Sequence, residues 1–300
     1  MPIFLSPAVV SGAMMAANIE PRTAICQVEP RSSADPGSRS ASALFVVPSA
    51  SLANRKLGLY FDGNRIADYR VRENQVSLDV GMNLGTSGQL KAGFLRRTQA
   101  ALLVTGIPTL PDSRQTVDAL RASVLADTYD AAFFPSRGYR VDLSYLDAIR
   151  VSDGRDPYQR AEGKAGAAWS TGPVTLLGNV SGGRALKGSL PLGDIFALGG
   201  QGRLSAFAPG QIIGNEYTLG TVQAQYRLNK PVPLLGLQAI VGVAAERGRM
   251  KDPITEPRLT GNINSLGAYL AMNTALGPIY FGYADTKDRS GRVYFFLGTP

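Results

Sequence analysis

Any chemistry in this chain has to be done without histidine and with a single cysteine, Cys26. That removes the usual general base, the usual zinc ligand, every Ser-His or Cys-His arrangement, and any disulfide or thiolate cluster. A serine can still be activated by an aspartate alone, in a Ser-Asp dyad, but this needs a G-x-S-x-G turn to present the nucleophile and a D-G-x aspartate to serve it. The nearest strings, Gly85-Thr86-Ser87-Gly88 and Val180-Ser181-Gly182-Gly183, lack the glycine spacing, and Asp62-Gly63 has no serine partner and reads as a turn. Gly200-x-Gly202 is not a dinucleotide fingerprint, because no strand-to-helix unit follows it. The carboxylates form no E-x-x-H or D-x-D-x-D-G pattern. Glu162 and Lys164 stand two residues apart on one predicted strand face, placed either to form an ion pair or to remain two separately solvated charges, and neither arrangement implies catalysis. The residues predict no catalytic site, no cofactor and no metal.

The elements that would carry these residues are strands. Only 18% of the 300 residues are charged, 34 are glycine, and the 44% hydrophobic share is spread so evenly that no stretch approaches the roughly 20 apolar residues of a membrane helix. A barrel stays open, since each of its strands needs only about ten residues of alternating character. The net charge of +8 comes from basic residues scattered singly between strands. That suits lumenal and loop positions facing anionic lipid headgroups, and not nucleic acid, which asks for a clustered basic face with interleaved aromatics.

Residues 1–44 differ from the rest. Ile3 to Ala17 is mildly apolar but carries Pro7 and no Lys or Arg before Arg22, so the charged start of a secretory signal is missing. The Ser-, Pro- and Arg-rich stretch that follows predicts disorder or loop. From Phe45 the strands succeed one another. Phe45 to Phe61 leads into an Asp62-Gly63-Asn64 turn. Val76 to Gly85 alternates without fault, with Val76, Leu78, Val80, Met82 and Leu84 opposite Ser77, Asp79, Gly81, Asn83 and Gly85. Gln89 to Val104 and Gln115 to Tyr129 follow. Tyr139, Val141, Leu143 and Tyr145 then face one side with Arg140, Asp142 and Ser144 on the other, and Tyr158 to Ser170 repeats the pattern. Past Val174 to Arg184 and a long loop come Tyr217 to Asn229, Leu237 to Gly248, Asn264 to Ala275, Ile279 to Asp285 and Arg292 to Gly298. A tight turn at Lys230-Pro231-Val232-Pro233, a charged loop from Arg249 to Asn262 and a turn at Gly277-Pro278 separate them. Aromatics Tyr280, Phe281, Tyr283, Tyr294, Phe295 and Phe296 crowd the last two strands as an interfacial girdle would. Turn lengths are expected to alternate, short on the periplasmic side and long outside.

The stretch from Asp194 to Asn229 organises the chain. Its first half, through Gly199, Gly200, Gly202, Pro209 and Gly210, cannot be helix or long strand. Its second half is a strand with Thr221, Gln223, Gln225 and Arg227 on a wet face and Val222, Ala224, Tyr226 and Leu228 on an apolar one. The run Leu198-Gly199-Gly200, then Arg203-Leu204-Ser205-Ala206-Phe207, then Gly214 and Tyr217, resembles the long loop and following strand of the bacterial surface antigen barrels, the outer-membrane assembly-factor superfamily. Within it the sequence is most similar to the C-terminal barrel of patatin-like outer-membrane phospholipases. Tyr60 to Gly85, Gly277 to Gly298 and the F-P-x-x-G-Y run from Phe134 to Tyr139 support the likeness, which covers roughly Phe45 to Pro300. Many barrels of this kind carry an arginine in a V-R-G-F/Y motif of the loop; here the aligned residue is Ser205, and the patatin-linked branch resembles this sequence in lacking the arginine.

The resemblance implies an all-β fold: an antiparallel transmembrane β-barrel in the bacterial outer membrane, with residues 45–300 as barrel and residues 1–44 as a non-barrel segment. In such proteins the loop after the eleventh of sixteen strands folds back into the lumen, so Gly199, Gly200, Arg203, Ser205, Phe207 and Gly214 become a lumenal motif. Twelve strands can be counted, seven before the loop and five after. Four strands of the family barrel are then missing ahead of Phe45, and Phe45 to Phe61 and Arg292 to Gly298 are left as edges. The implied function is membrane anchor and translocator of a patatin-like surface protein. Its implied partners are outer-membrane lipid, an upstream passenger or catalytic domain, and a second copy of the chain. The alternatives are a phospholipase fragment with its catalytic half upstream of Met1, and a polypeptide transport or assembly barrel.

Overall fold

The computed structural model describes residues 26–27, 44–107, 113–152, 156–228, 238–259, 261–274, 277–287 and 289–298. The readings of Ile3 to Ala17, of the Ser- and Pro-rich stretch apart from Cys26–Gln27, and of the Lys230-Pro231-Val232-Pro233 turn lie outside them.

One antiparallel sheet dominates. Its seven long strands before the loop are β2 (Leu44–Phe61), β3 (Asn64–Leu84), β4 (Gly88–Gly106), β5 (Ser113–Asp127), β6 (Gly138–Val151), β7 (Gln159–Thr171) and β8 (Val174–Lys187). Five follow it: β11 (Glu216–Arg227), β12 (Ala239–Lys251), β13 (Ile263–Thr274), β14 (Gly277–Thr286) and β15 (Arg289–Leu297). The two-residue β1 (Cys26–Gln27) lies on Ser49 and Ala50 of β2, and within the loop β9 (Phe196–Leu198) pairs with β10 (Ile212–Gly214). Neighbours in sequence are neighbours in the sheet, with β8 pairing directly to β11 across the loop. Among the described residues there is no helix, and no ladder joins β15 to β2.

The alternation read from the sequence sets the two faces of this sheet. Val76, Leu78, Val80, Leu143, Trp169, Val180, Val222 and Leu266 are exposed on the outward face, while Asp79, Thr221, Gln225 and Glu246 are buried on the other. In water that arrangement would be inverted, so it places lipid outside and a polar interior within. The sheet is curled about this interior. Phe134, in the β5–β6 connection, packs on Tyr280 of β14 with ring centroids 5.4 Å apart, and Arg258, after β12, reaches the Asp62 carboxylate at 2.9 Å.

Three readings are corrected. Tyr280, Tyr294 and Phe296 do not belong to a girdle: they face inward, Tyr280 packing on Phe134, Tyr269 and Phe296, while Phe281, Tyr283 and Phe295 face out. Period-2 alternation requires this, because adjacent aromatics on a strand point to opposite faces. Arg249 is not loop but strand, since β12 continues to Lys251 with Met250 buried, and Gly277 and Pro278 open β14, where the Pro278 carbonyl accepts from Gly298 N at 2.8 Å. Turn lengths do not strictly alternate. The end carrying the long loop also has the two-residue Asp62-Gly63 turn, and the opposite end has the ten-residue connection 128–137.

Candidate functional site

The loop spanning residues 188–215 sits against the concave face. Its turn is drawn tight by Gly199 N donating to Arg203 O at 2.6 Å, Arg203 N to Gly200 O at 3.0 Å, and Gly200 N to Phe207 O at 3.0 Å. Gly199 is at φ 112°, and a Cβ there would stand 2.1 Å from the Ala208 carbonyl, so only glycine fits. Leu204, wholly buried, takes a left-handed φ of 73°. A branched side chain rarely accepts that conformation, and packing on all sides must hold it. The effect is to aim the next residue, Ser205, at the wall.

Ser205 meets Glu246 of β12. Its Oγ donates to Glu246 Oε1 at 2.8 Å and its backbone N donates to Oε2; beside it Ala206 N donates to Ser265 Oγ of β13 at 3.2 Å. Phe207 is buried. The Arg289 guanidinium of β15 lies 5.7 Å from its ring centroid and Arg292 donates to its carbonyl at 2.8 Å. Gly214 lets the chain pass Met250, whose Sδ would be 2.7 Å from an added Cβ, and Gly200 lies against Pro209. Arg203 donates to Ala197 O at 2.9 Å and stacks over Tyr217, 5.3 Å from the ring centroid.

Glu162 and Lys164 belong to the same network. Lys164 Nζ is 3.4 Å from Glu162 Oε1, but Arg160 is closer at 2.9 Å, and the Tyr217 hydroxyl donates to Glu162 at 2.7 Å. Since Lys164 is half exposed, its share of that hold is the weakest. Through Tyr217 the carboxylate reaches the loop residue Arg203. Below the loop lies a polar cavity of about 380 Å³ lined by Arg140, Asp142, Lys164, Arg203, Gln201 and Gln223.

Sequence reasoning missed the wall's half of these contacts. Asp194 of the loop receives both Arg97 of β4 and the Tyr158 hydroxyl, all three buried. Glu256, after β12, accepts from Gln211 Nε2 at 2.7 Å and from Gly63 N at 2.9 Å, tying the loop and the β2–β3 turn to one carboxylate. Thr255 Oγ1 donates to Gln211 O at 2.7 Å and accepts from Ile213 N at 3.0 Å. Strand alternation places Arg97 and Glu246 inward, but their partners lie 97 and 41 residues away in sequence, beyond any periodic signal. The loop offers Ser205 and Asp194, and the wall supplies Glu246 and Arg97.

The Ser205–Glu246 contact has the distance of a nucleophile and its base. It is not built to react. Ser205 is buried, its Oγ also accepts from Gly202 N at 3.2 Å, and both Glu246 oxygens are engaged. Among the described residues no three acidic or sulfur ligands gather to hold a metal.

The sequence profile described as the Omp85 superfamily domain matches residues 31–300. In three dimensions the chain is similar to BamA from Haemophilus ducreyi lacking POTRA domains 1-3, at 12% identity and TM-score 0.65, over 84% of this chain and 57% of that one. It is similar also to CdiB from Acinetobacter baumannii, at 15% and 0.54 over 85% and 47%, and to CdiB from Escherichia coli, at 13% and 0.56 over 85% and 50%. The chain thus spans about half the length of these solved relatives, and at such identities the likeness is one of fold. No curated protein matches the chain.

Proposed function

The chain belongs to the Omp85 superfamily, and on that premise we propose that this outer-membrane β-barrel is the anchor and translocator domain of a patatin-like surface protein, with no active site of its own. The observation that carries the anchor reading is the occupied concave face. The loop is held from one side by Arg97 and Tyr158 and from the other by Glu246, Ser265 and Arg292, and Phe134 enters from the opposite end to pack on Tyr280. A wall so filled fixes a passenger in the membrane and conducts little while the loop is seated. The patatin link rests on the Leu198-Gly199-Gly200 and Arg203-to-Phe207 run with serine in place of the loop arginine.

A polypeptide transport or assembly barrel is the second reading, favoured by the polar cavity beneath the loop. Reconstitution into planar bilayers and phospholipid vesicles separates them. The anchor reading expects small, infrequent conductance and no fatty-acid release, with larger conductance after Glu246→Ala. A large, steady conductance from the unaltered chain would reject the anchor in favour of transport, and fatty-acid release would reject the absence of an active site. Upstream coding sequence bears on the passenger: a G-x-S-x-G within a strand-turn-helix supports patatin, and polypeptide-transport-associated domains without it oppose it.

A further inference from the structure

The outward face changes character along β12. Val241, Val243 and Ala245 point outward, then Arg247, Arg249 and Lys251 at the next three outward positions. Register carries the change across the sheet. Next to the loop-bearing end, Arg184, Glu216 and Lys251 are direct neighbours; one step in, Gly182, Thr218 and Arg249; then Val180, Gly220 and Arg247; and then Gly178, Val222, Ala245 and Leu266, with Asp285 beyond. The small residues Ala165, Ala167, Gly178, Gly220 and Ala245 floor a groove of about 1060 Å³ between Tyr139, Val222 and Leu266, with Arg247 and Lys287 at its rim. The acids on this stretch of the outward face are Glu216, 3.6 Å from Lys251, and Asp285. Among the described residues Arg184, Arg247, Arg249 and Lys287 have no ion pair, so positive charge prevails there.

The geometry points to a site for a phosphorylated, multiply acylated lipid of the outer leaflet. An apolar groove that opens onto unneutralised cations matches an acyl chain continuing into an anionic headgroup. The end bearing the longest loop is the exterior one in barrels of this kind, which sets the leaflet. Acyl chains lie over Gly178, Gly220 and Ala245, and phosphates meet Arg247, Arg249 and Lys287. The inference goes beyond the anchor reading and needs only the outer-membrane placement; conductance tests that reading separately.

The test is binding of lipid A to the full chain held in phosphatidylcholine nanodiscs, read as the shift of its heat-modifiable gel transition and by native mass spectrometry. Diphosphorylated lipid A is expected to bind, and dephosphorylated lipid A and phosphatidylglycerol to bind much less. The Arg247→Gln/Arg249→Gln variant should bind roughly thirty-fold more weakly, the loss expected from neutralising two cations beside an anionic headgroup. Arg247→Lys/Arg249→Lys should restore most of it, and Arg72→Gln/Arg96→Gln, on the far side of the sheet, should leave binding intact. Equal binding of dephosphorylated lipid A or of phosphatidylglycerol by the unaltered chain would overturn the proposal. So would an equal loss in the Arg72→Gln/Arg96→Gln control.

Discussion

The carboxylate of Glu246 accepts both the backbone N and the hydroxyl of Ser205, one oxygen for each. A carboxylate inside the wall is costly unless its lone pairs are used, and here the loop uses them. Losing either partner leaves the other buried without its hydrogen bonds.

Glu246→Ala should therefore loosen the loop by roughly 2 to 4 kcal/mol, because two donors lose a charged acceptor. Ser205→Ala keeps the backbone donor and should cost about 1 to 2 kcal/mol. Limited proteolysis within residues 188–215, alongside the heat-modifiable transition, measures both. Unchanged cleavage in Glu246→Ala would mean that the loop is held elsewhere.

The outward and inward faces can be tested side by side on β11. Val222 is exposed to lipid, whereas Gln223 beside it faces the polar cavity and accepts from the Tyr269 hydroxyl at 2.8 Å. Val222→Arg should cost about 2 to 4 kcal/mol near the bilayer midplane, and Gln223→Arg clearly less. Folding yield into lipid vesicles reports the difference, and equal tolerance would reverse the assignment of faces.

A pH effect is expected at the β5–β6 connection, outside the membrane. Asp130 accepts from the Ser136 hydroxyl, from Ser136 N at 2.8 Å and from Arg137 N at 3.2 Å; these hold its carboxyl down to about 2, the hydroxyl most of all. A depressed folded value means the stabilisation is complete above the ordinary value of 3.8 and is lost as pH falls from there through about 2. The exposed site makes the effect local. Protection of the Ser136 amide, taken relative to its intrinsic exchange rate, should fall over that window as pH is lowered, and in Asp130→Asn it should be low and flat with pH. A protected, pH-independent amide in the unaltered chain would rule the mechanism out.

Much of this was legible from residue order alone. The twelve long strands, seven before the loop and five after, follow from period-2 alternation, because each outward Val or Leu faces lipid while each inward Asp or Gln faces the interior. Alternation gave no strand ends where charge interrupts it. Arg249 and Lys251 look like loop residues, yet they continue β12 because they face outward beyond the apolar band. Partners were hidden for a different reason. Glu246 with Ser205 and Arg97 with Asp194 are side-chain contacts between a loop and strands far along the chain, and no local pattern encodes them. The girdle reading fails at Tyr280, Tyr294 and Phe296 because aromatic composition alone does not say on which side of the sheet each ring falls.

The two edges carry a further expectation. β2 has a neighbour on its outer side only at Ser49 and Ala50, and β15 pairs with β14 alone; side chains and the Gly63–Glu256 bond draw the Asp62-Gly63 turn toward the β12–β13 connection without a backbone ladder. Unpaired backbone groups in hydrocarbon cost several kcal/mol each, so the chain refolded in detergent should pair with a second copy or aggregate through these edges. Size-exclusion chromatography with light scattering decides this. A monodisperse monomer with slow exchange along both β2 and β15 would show instead that the twelve strands close.

The seated loop is the centre of the account, and amide hydrogen exchange on the full chain in its membrane-mimetic environment tests it most directly. Ser205 N and Ile213 N, donors to Glu246 and Thr255, should exchange as slowly as the backbone of β11 and β12. Exchange there at the rate of an open loop, with β11 and β12 still protected, would contradict it.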